Sequence, residues 1–236
     1  MVELAEQIIA SRRRGHKLLA LLIDPDKPQP FAALPYLNGQ VDYIFVGGST
    51  GSISPDFIAT IRSQASLPIV LFPGSEAQYS PQADALLFLT PMNARDPRWL
   101  IDRQVAVAPL IDESRIGVVP TAYLLIDGGR VSSAQRIMQA APLPRTDVAR
   151  IRAYAKTARL MGKSLLYLEA GSGAAIPVPA DIIRAAAEAF GQSLLVGGGI
   201  RTPEAMMEAF EAGADLVVIG NHFEEDPASL TLFTHP

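Results

Sequence analysis

Eight short apolar runs, each closed by small or polar residues and nearly all followed by a stretch of helical spacing, constrain this chain more than any other feature. The runs cover residues 17–23, 42–46, 68–72, 84–89, part of 116–126, 164–168, 193–196 and 215–219. Continuous rather than alternating apolar runs suit strands buried on both faces, as parallel strands are. Between them, helices are expected over 2–14, 55–66, 97–112, 146–161, 179–190 and 202–211, with a short one over 29–38 and a closing one from Asn221 onward. Ser54 and Thr146 stand at expected N-caps, Pro55 at a first helical position, and Gly15 and Gly162 just past helix ends. Strand–helix alternation implies a parallel sheet. Eight repeats favour a closed (β/α)8 TIM barrel over an open sheet. The chain has 236 residues and no linker-like stretch, so a single barrel domain over 1–236 is expected; such barrels need roughly 250 residues.

Two places depart from the regular repeat. Only residues 75–83, including Pro81, separate the third and fourth strands. A parallel crossover usually takes about a dozen residues or more, so a short extended segment or a single turn should replace the third helix. Residues 130–145 are irregular and proline-rich at their end, which suggests a hairpin or a mobile loop.

Composition removes several function classes. Charged residues are 19% of the chain and the net charge is −4, with no basic run longer than Arg12-Arg13-Arg14, so that triplet reads as the solvated end of the first helix and nucleic-acid binding is not expected. The absence of cysteine excludes thiolate chemistry. Glu3 and Glu6 argue against a signal peptide, and no apolar run approaches the roughly 20 residues of a membrane span, so a cytoplasmic protein is expected. His16, His222 and His235 lack zinc-ligand spacing. No lysine sits clearly inside a strand, which disfavours a Schiff-base aldolase. Trp99 reads as packing, or as an interface residue if exposed.

The strand ends carry the chemistry. They read Asp24-Pro25-Asp26, Gly47-Gly48-Ser49, Pro73-Gly74-Ser75, Thr90-Pro91, Glu169-Ala170-Gly171, Gly197-Gly198-Gly199 and Gly220-Asn221. In a barrel these ends meet at the C-terminal face, where active sites form. The turns at Gly197-Gly198-Gly199 and Gly220-Asn221 follow the seventh and eighth strands, the positions at which barrels hold phosphate on backbone N–H groups and a helix N-terminus. Alternation places Tyr167 and Glu169 on one side of the sixth strand, facing the mouth, where a carboxylate can take a proton from a substrate hydroxyl. Ser172 and Gly173 could add phosphate donors. Asp24, with Ser49 and Thr50 on the next strand end, offers the oxygen ligands that suit Mg²⁺ alongside substrate phosphate, although Asp24-Pro25 is also an ordinary turn initiator.

The segments Leu22-Ile23-Asp24-Pro25-Asp26-Lys27, Val46-Gly47-Gly48-Ser49, Tyr167-Leu168-Glu169-Ala170-Gly171-Ser172-Gly173, Val196-Gly197-Gly198-Gly199-Ile200-Arg201 and Ile219-Gly220-Asn221 together resemble the geranylgeranylglyceryl phosphate synthase family. The glycine turns alone recur in many phosphate-binding barrels; the ordered set with the Tyr167 to Gly173 motif is specific. The resemblance implies a prenyltransferase that moves a polyprenyl group from its diphosphate to the 3-hydroxyl of sn-glycerol 1-phosphate. It implies Mg²⁺ at Asp24 and Ser49. It places glycerol phosphate on Tyr167, Leu168, Glu169, Ala170, Gly171, Ser172, Gly173, Gly198, Gly199, Gly220 and Asn221, with Glu169 as base. It also implies a homo-oligomer, contact with membranes through the lipid product, and a groove for the tail beside the short third connection. Some members carry lysine two residues before the metal aspartate; Leu22 stands there in this chain, so no phosphate contact is assigned to it. Two alternatives stand beside it: a sugar-phosphate isomerase or lyase on the same kind of barrel, and a non-catalytic binder of phosphorylated lipid precursors.

Overall fold

The computed structural model describes residues 4–27, 31–48, 51–220 and 232–233. Eight parallel strands close a barrel in chain order: β1 Leu18–Ile23, β2 Tyr43–Val46, β3 Ile69–Leu71, β4 Ala85–Pro91, β5 Gly117–Leu125, β6 Leu165–Glu169, β7 Ser193–Gly197 and β8 Leu216–Ile219. The ring closes where β8 pairs with β1, Leu216 opposite Leu18. The helices are α1 Leu4–Arg13, α2 Pro55–Gln64, α3 Asp102–Val107, α4 Ser133–Met138, α5 Val148–Leu160, α6 Ala180–Phe190 and α7 Pro203–Glu211.

Each strand divides its side chains between two cores. On β6, Leu165 and Tyr167 point into the barrel with Phe45, Val70, Leu195 and Val218. Leu166 and Leu168 point outward, against Ile182 and Ile183 of α6. That is why the runs are apolar throughout rather than alternating. α1 closes the bottom: Leu4 and Ile8 join the inner core, and the Tyr43 hydroxyl donates to Gln7 Oε1 at 3.2 Å.

The short connection after β3 holds one 3-10 turn, Glu76–Gln78, as its length requires. Four features differ from the sequence expectation. The helix expected over 97–112 is broken into a 3-10 turn at Pro97–Trp99, α3, and a second 3-10 turn at Ala108–Leu110. Pro109 lacks an N–H and cannot continue an α-helix. The hairpin or loop expected over 130–145 contains α4, capped by Ser132, whose Oγ accepts from Gln135 N at 3.1 Å. The cap of α5 is Asp147 rather than Thr146; its carboxylate accepts from Arg150 N at 3.1 Å. The expected short helix over 29–38 is a 3-10 stretch, Phe31–Leu37, with Pro35 inside it. Ser54 caps α2 as expected. The closing helix from Asn221 falls outside the described residues, apart from 232–233.

Candidate active site

Following the strands to their C-terminal ends leads into one cavity of about 510 Å³. Asp24, Tyr167, Glu169, Ser172, Gly173, Gly198, Gly199 and Gly220 all line it, so the barrel brings together the strand ends read from the sequence. Ser49 and Asn221 lie outside the described residues. Leu168 and Gly171 do not line the cavity: the Leu168 side chain packs in the outer core, and Gly171 lies behind Glu169, to which its N–H donates. Ala170 is buried, and its N–H donates to Gly197 O at 3.0 Å, tying the sixth strand end to the seventh.

Glu169 sits between these two turns. Its Oε1 accepts from Gly171 N at 2.7 Å. A Cβ on Gly198 would collide with that same oxygen, and one on Gly197 with the Tyr167 hydroxyl. Gly198 and Gly199 both have left-handed φ, +81° and +73°, which only glycine adopts at no steric cost. The glycines therefore let two backbone turns close around one carboxyl group while leaving N–H groups near the cavity. Burial pushes the Glu169 pKa from 4.5 up to about 7; the Tyr167 hydroxyl and the Gly171 N–H partly offset this. A group poised there exchanges protons near neutral pH.

Beneath Glu169 the floor is aromatic. Phe72, Tyr123 and Tyr167 pack with ring centroids 5.1 to 6.0 Å apart, and all three line the cavity. Burial, reinforced by the Glu169 charge, raises the pKa of both tyrosines, so they stay neutral donors. The Tyr167 hydroxyl is buried beside Glu169 without an aligned hydrogen-bond partner among the described residues. It is near enough to favour the charged carboxylate, but its geometry leaves the donor open to a ligand.

Across the mouth, Asp24 is half-buried. Its Oδ1 accepts from Asp26 N at 3.1 Å, and Lys27 Nζ lies 3.9 Å from Oδ2. Burial raises its pKa; the Asp26 N–H and Lys27 pull it down. A carboxylate on Gly48 would have no room: even a Cβ there would overlap Asp24. Gln78 fixes the adjoining turns, its Oε1 accepting from Gly74 N at 2.8 Å and Gly48 N at 3.3 Å. No three acidic or histidine side chains cluster among the described residues. Asp24 and Asp26 line the cavity, and that donor set fits Mg²⁺, which takes one or two carboxylates with substrate phosphate oxygens.

The cavity continues past the mouth. Leu86, Leu87, Phe88 and Leu89, four successive residues of β4, all line it. Successive strand residues point to opposite faces, so the cavity wraps from the barrel interior over β4 onto its outer side. A covering helix between β3 and β4 would close that side; one 3-10 turn does not. The result is an apolar arm with residues 73–79 on one wall and Trp99, Arg103, Gln104 and Val107 on the other. Trp99 is 7% exposed and stands in this wall rather than on an outer surface.

Phe72, Tyr123 and the α3 residues were not identified as site residues from the sequence. Tyr123 was within reach: it stands opposite Tyr167 in the β5–β6 register and shares its face. The α3 residues become wall residues only because a helix is missing elsewhere.

A closed barrel with glycine turns and a buried carboxylate at its C-terminal face defines a (β/α)8 protein of the kind whose active site forms at that face. The chain belongs to the PcrB family, whose model matches residues 9–234. It is similar to geranylgeranylglyceryl phosphate synthase of Flavobacterium johnsoniae, 40% identical over 227 residues that cover 94% of this chain and 93% of the relative. The synthase of the same name from Korarchaeum cryptofilum is 39% identical over 220 residues, 91% of this chain and 90% of that one. Among solved structures, (S)-3-O-geranylgeranylglyceryl phosphate synthase from Thermoplasma acidophilum, crystallised with its substrate sn-glycerol-1-phosphate, superposes with a TM-score of 0.90 at 33% identity, covering 99% of this chain and 96% of that one.

Proposed function

We propose that the protein is a prenyltransferase that moves a polyprenyl group from its diphosphate to the 3-hydroxyl of sn-glycerol 1-phosphate, with Mg²⁺, releasing diphosphate. The observation that carries this is the shape of one continuous cavity: a polar mouth holding Glu169 between two glycine turns runs directly into an apolar arm over β4. A phosphorylated polyol suits the first part and an isoprenoid tail the second.

The acceptor phosphate would rest on the turns at Ser172-Gly173 and Gly198-Gly199, which line the cavity, together with the Gly220-Asn221 turn; the Gly171 N–H is taken by Glu169. Held by that phosphate, its 3-hydroxyl is presented to Glu169, with the Tyr167 hydroxyl as a further donor nearby. The carbon–oxygen bond of the donor breaks, diphosphate leaves with the bonding pair, and the acceptor oxygen bonds to the allylic carbon. Glu169 takes the hydroxyl proton; its pKa of about 7 suits a base at neutral pH. Mg²⁺, held by Asp24 and Ser49 with diphosphate oxygens, would supply charge neutralisation to the leaving group. The apolar arm keeps water from the reacting carbon and orients the tail.

A sugar-phosphate isomerase or lyase would need only a compact polar pocket, and the arm disfavours it. A non-catalytic binder has no use for a buried carboxyl group poised near neutral pH. No helix among the described residues is long and apolar enough to cross a membrane. Ile101, Val105 and Leu110 present exposed apolar side chains along one segment and support self-association, which sedimentation would measure. The protein incubated with sn-glycerol 1-phosphate, geranylgeranyl diphosphate and Mg²⁺ is expected to form a prenyl ether. Folded protein that gives none with any donor from ten to thirty-five carbons would overturn the proposal.

A further inference from the structure

We infer that Arg103 is a latch across the apolar arm and sets which donor tails the arm accepts. The inference rests on the proposed prenyl transfer and deepens it on the donor side.

The arm has an unusual weakness. Its two walls are the short connection 73–79 and the broken segment 97–107, and neither is a full helix. Chain segments this short hold their spacing poorly unless something bridges them. Arg103 does so from the first turn of α3. Its guanidinium carbon stands 4.0 Å from the centroid of the Trp99 ring, on its own wall. Its Nη1 donates to Gly74 O at 3.3 Å and to Glu76 Oε2 at 3.1 Å, on the opposite wall. Trp99, Gly74, Glu76 and Arg103 itself all line the cavity.

The choice of arginine has a physical reason. A planar guanidinium can stack on an indole and still donate in its own plane, whereas an ammonium cannot do both in fixed geometry. Stacking holds Trp99 facing the arm; the in-plane bonds hold the other wall against it. Each contact alone is weak, because the Glu76 pair is half-exposed and screened by solvent. Their convergence on one group makes the spacing specific. The latch is also openable, as a groove that must admit a long tail and release a longer product requires.

Arg103 touches none of the groups assigned to the acceptor or to proton transfer, so it is a positioning residue. Its removal should act on the donor alone. The test uses wild type, Arg103→Ala, Arg103→Lys and Glu76→Gln, with saturating sn-glycerol 1-phosphate, Mg²⁺, and farnesyl, geranylgeranyl and longer polyprenyl diphosphates as separate donors. In Arg103→Ala, kcat/KM for donors longer than the wild-type optimum, relative to that optimum, should rise about tenfold. The KM for sn-glycerol 1-phosphate should stay within about twofold. Arg103→Lys should fall between the two, and Glu76→Gln, which keeps the stack, should move the profile least. An unchanged donor profile in Arg103→Ala and Arg103→Lys, or an equal loss with every donor and a matching rise in acceptor KM, overturns the latch while leaving prenyl transfer intact. Wild type that forms no ether with any donor overturns both. Should Arg103→Ala not fold, Arg103→Lys and Glu76→Gln decide the matter on the same criteria.

Discussion

At the bottom of the barrel, Asp42, Asp84 and Asp215 each stand just before a strand and reach sideways to the neighbouring one. Asp42 accepts from Leu19 N at 2.8 Å, Asp84 from Ile69 N at 2.7 Å and Asp215 from Leu194 N at 3.0 Å. These N–H groups lie where the parallel ladder begins, and the carboxylates satisfy them. Arg62 stands beside Asp84, and Arg12 beside Asp215 at 3.4 Å. At the mouth the same functional group is used differently. Glu169 is buried, accepts one backbone N–H, pairs with no cation among the described residues, and has its pKa raised to about 7. A bottom carboxylate closes strand ends; the mouth carboxylate is held in a state that costs stability when charged and is useful for that reason.

The largest expected effect follows from that difference. Glu169→Gln keeps the shape and removes the base, so turnover should fall by about 10² to 10⁴-fold, measured as prenyl ether formed by folded protein. An undiminished rate would leave the mouth carboxylate with no more than a structural role.

The same substitution should have the opposite sign in stability. The folded pKa of Glu169 is raised, so its contribution is fully present below the unfolded value of 4.5 and is lost as pH rises through about 7. At pH 8 the charged, buried form weighs against folding by on the order of 3 kcal/mol at most. Glu169→Gln should therefore raise the unfolding free energy at pH 8 by about 1–3 kcal/mol and change it less at pH 5. Chemical denaturation at the two pH values measures this, and equal effects at both would break the comparison from the mouth side.

The bottom predicts the reverse pattern. Asp84→Ala leaves Ile69 N without its partner and should cost about 1–3 kcal/mol, with turnover per folded molecule unchanged. A loss of turnover at full stability would show that the two ends are not separate in function. Smaller still, Thr202→Ala removes the cap that accepts from Ala205 N at 3.2 Å at the start of α7. About 1 kcal/mol of stability should go, and because α7 begins just after the Gly199 turn, the KM for sn-glycerol 1-phosphate should rise modestly.

This contrast explains what could be read without coordinates. The order of strands and the glycine turns are local patterns, and they were legible. So was the shared face of Tyr167 and Glu169, because strand alternation is a two-residue rule. The missing third helix was legible from the nine residues available to it, 75–83. A groove beside it was expected as well; its walls were not legible, because that Arg103 and Trp99 would line the opening over β4 depends on which segments become neighbours in the closed ring. The end of α3 at Val107 follows from Pro109, a signal present in the sequence that helical spacing masked. The height of the Glu169 pKa was not legible either, because burial is a property of the packed barrel rather than of the motif.

The most direct test of Glu169 as the base is the pH dependence of kcat/KM for sn-glycerol 1-phosphate in the wild-type protein. Only the deprotonated carboxylate accepts the hydroxyl proton, so kcat/KM should rise about tenfold per pH unit at low pH and level off above about 7, the pKa of Glu169. A profile that is flat between pH 5 and 8, or one whose rising limb persists unchanged in Glu169→Gln, would contradict it.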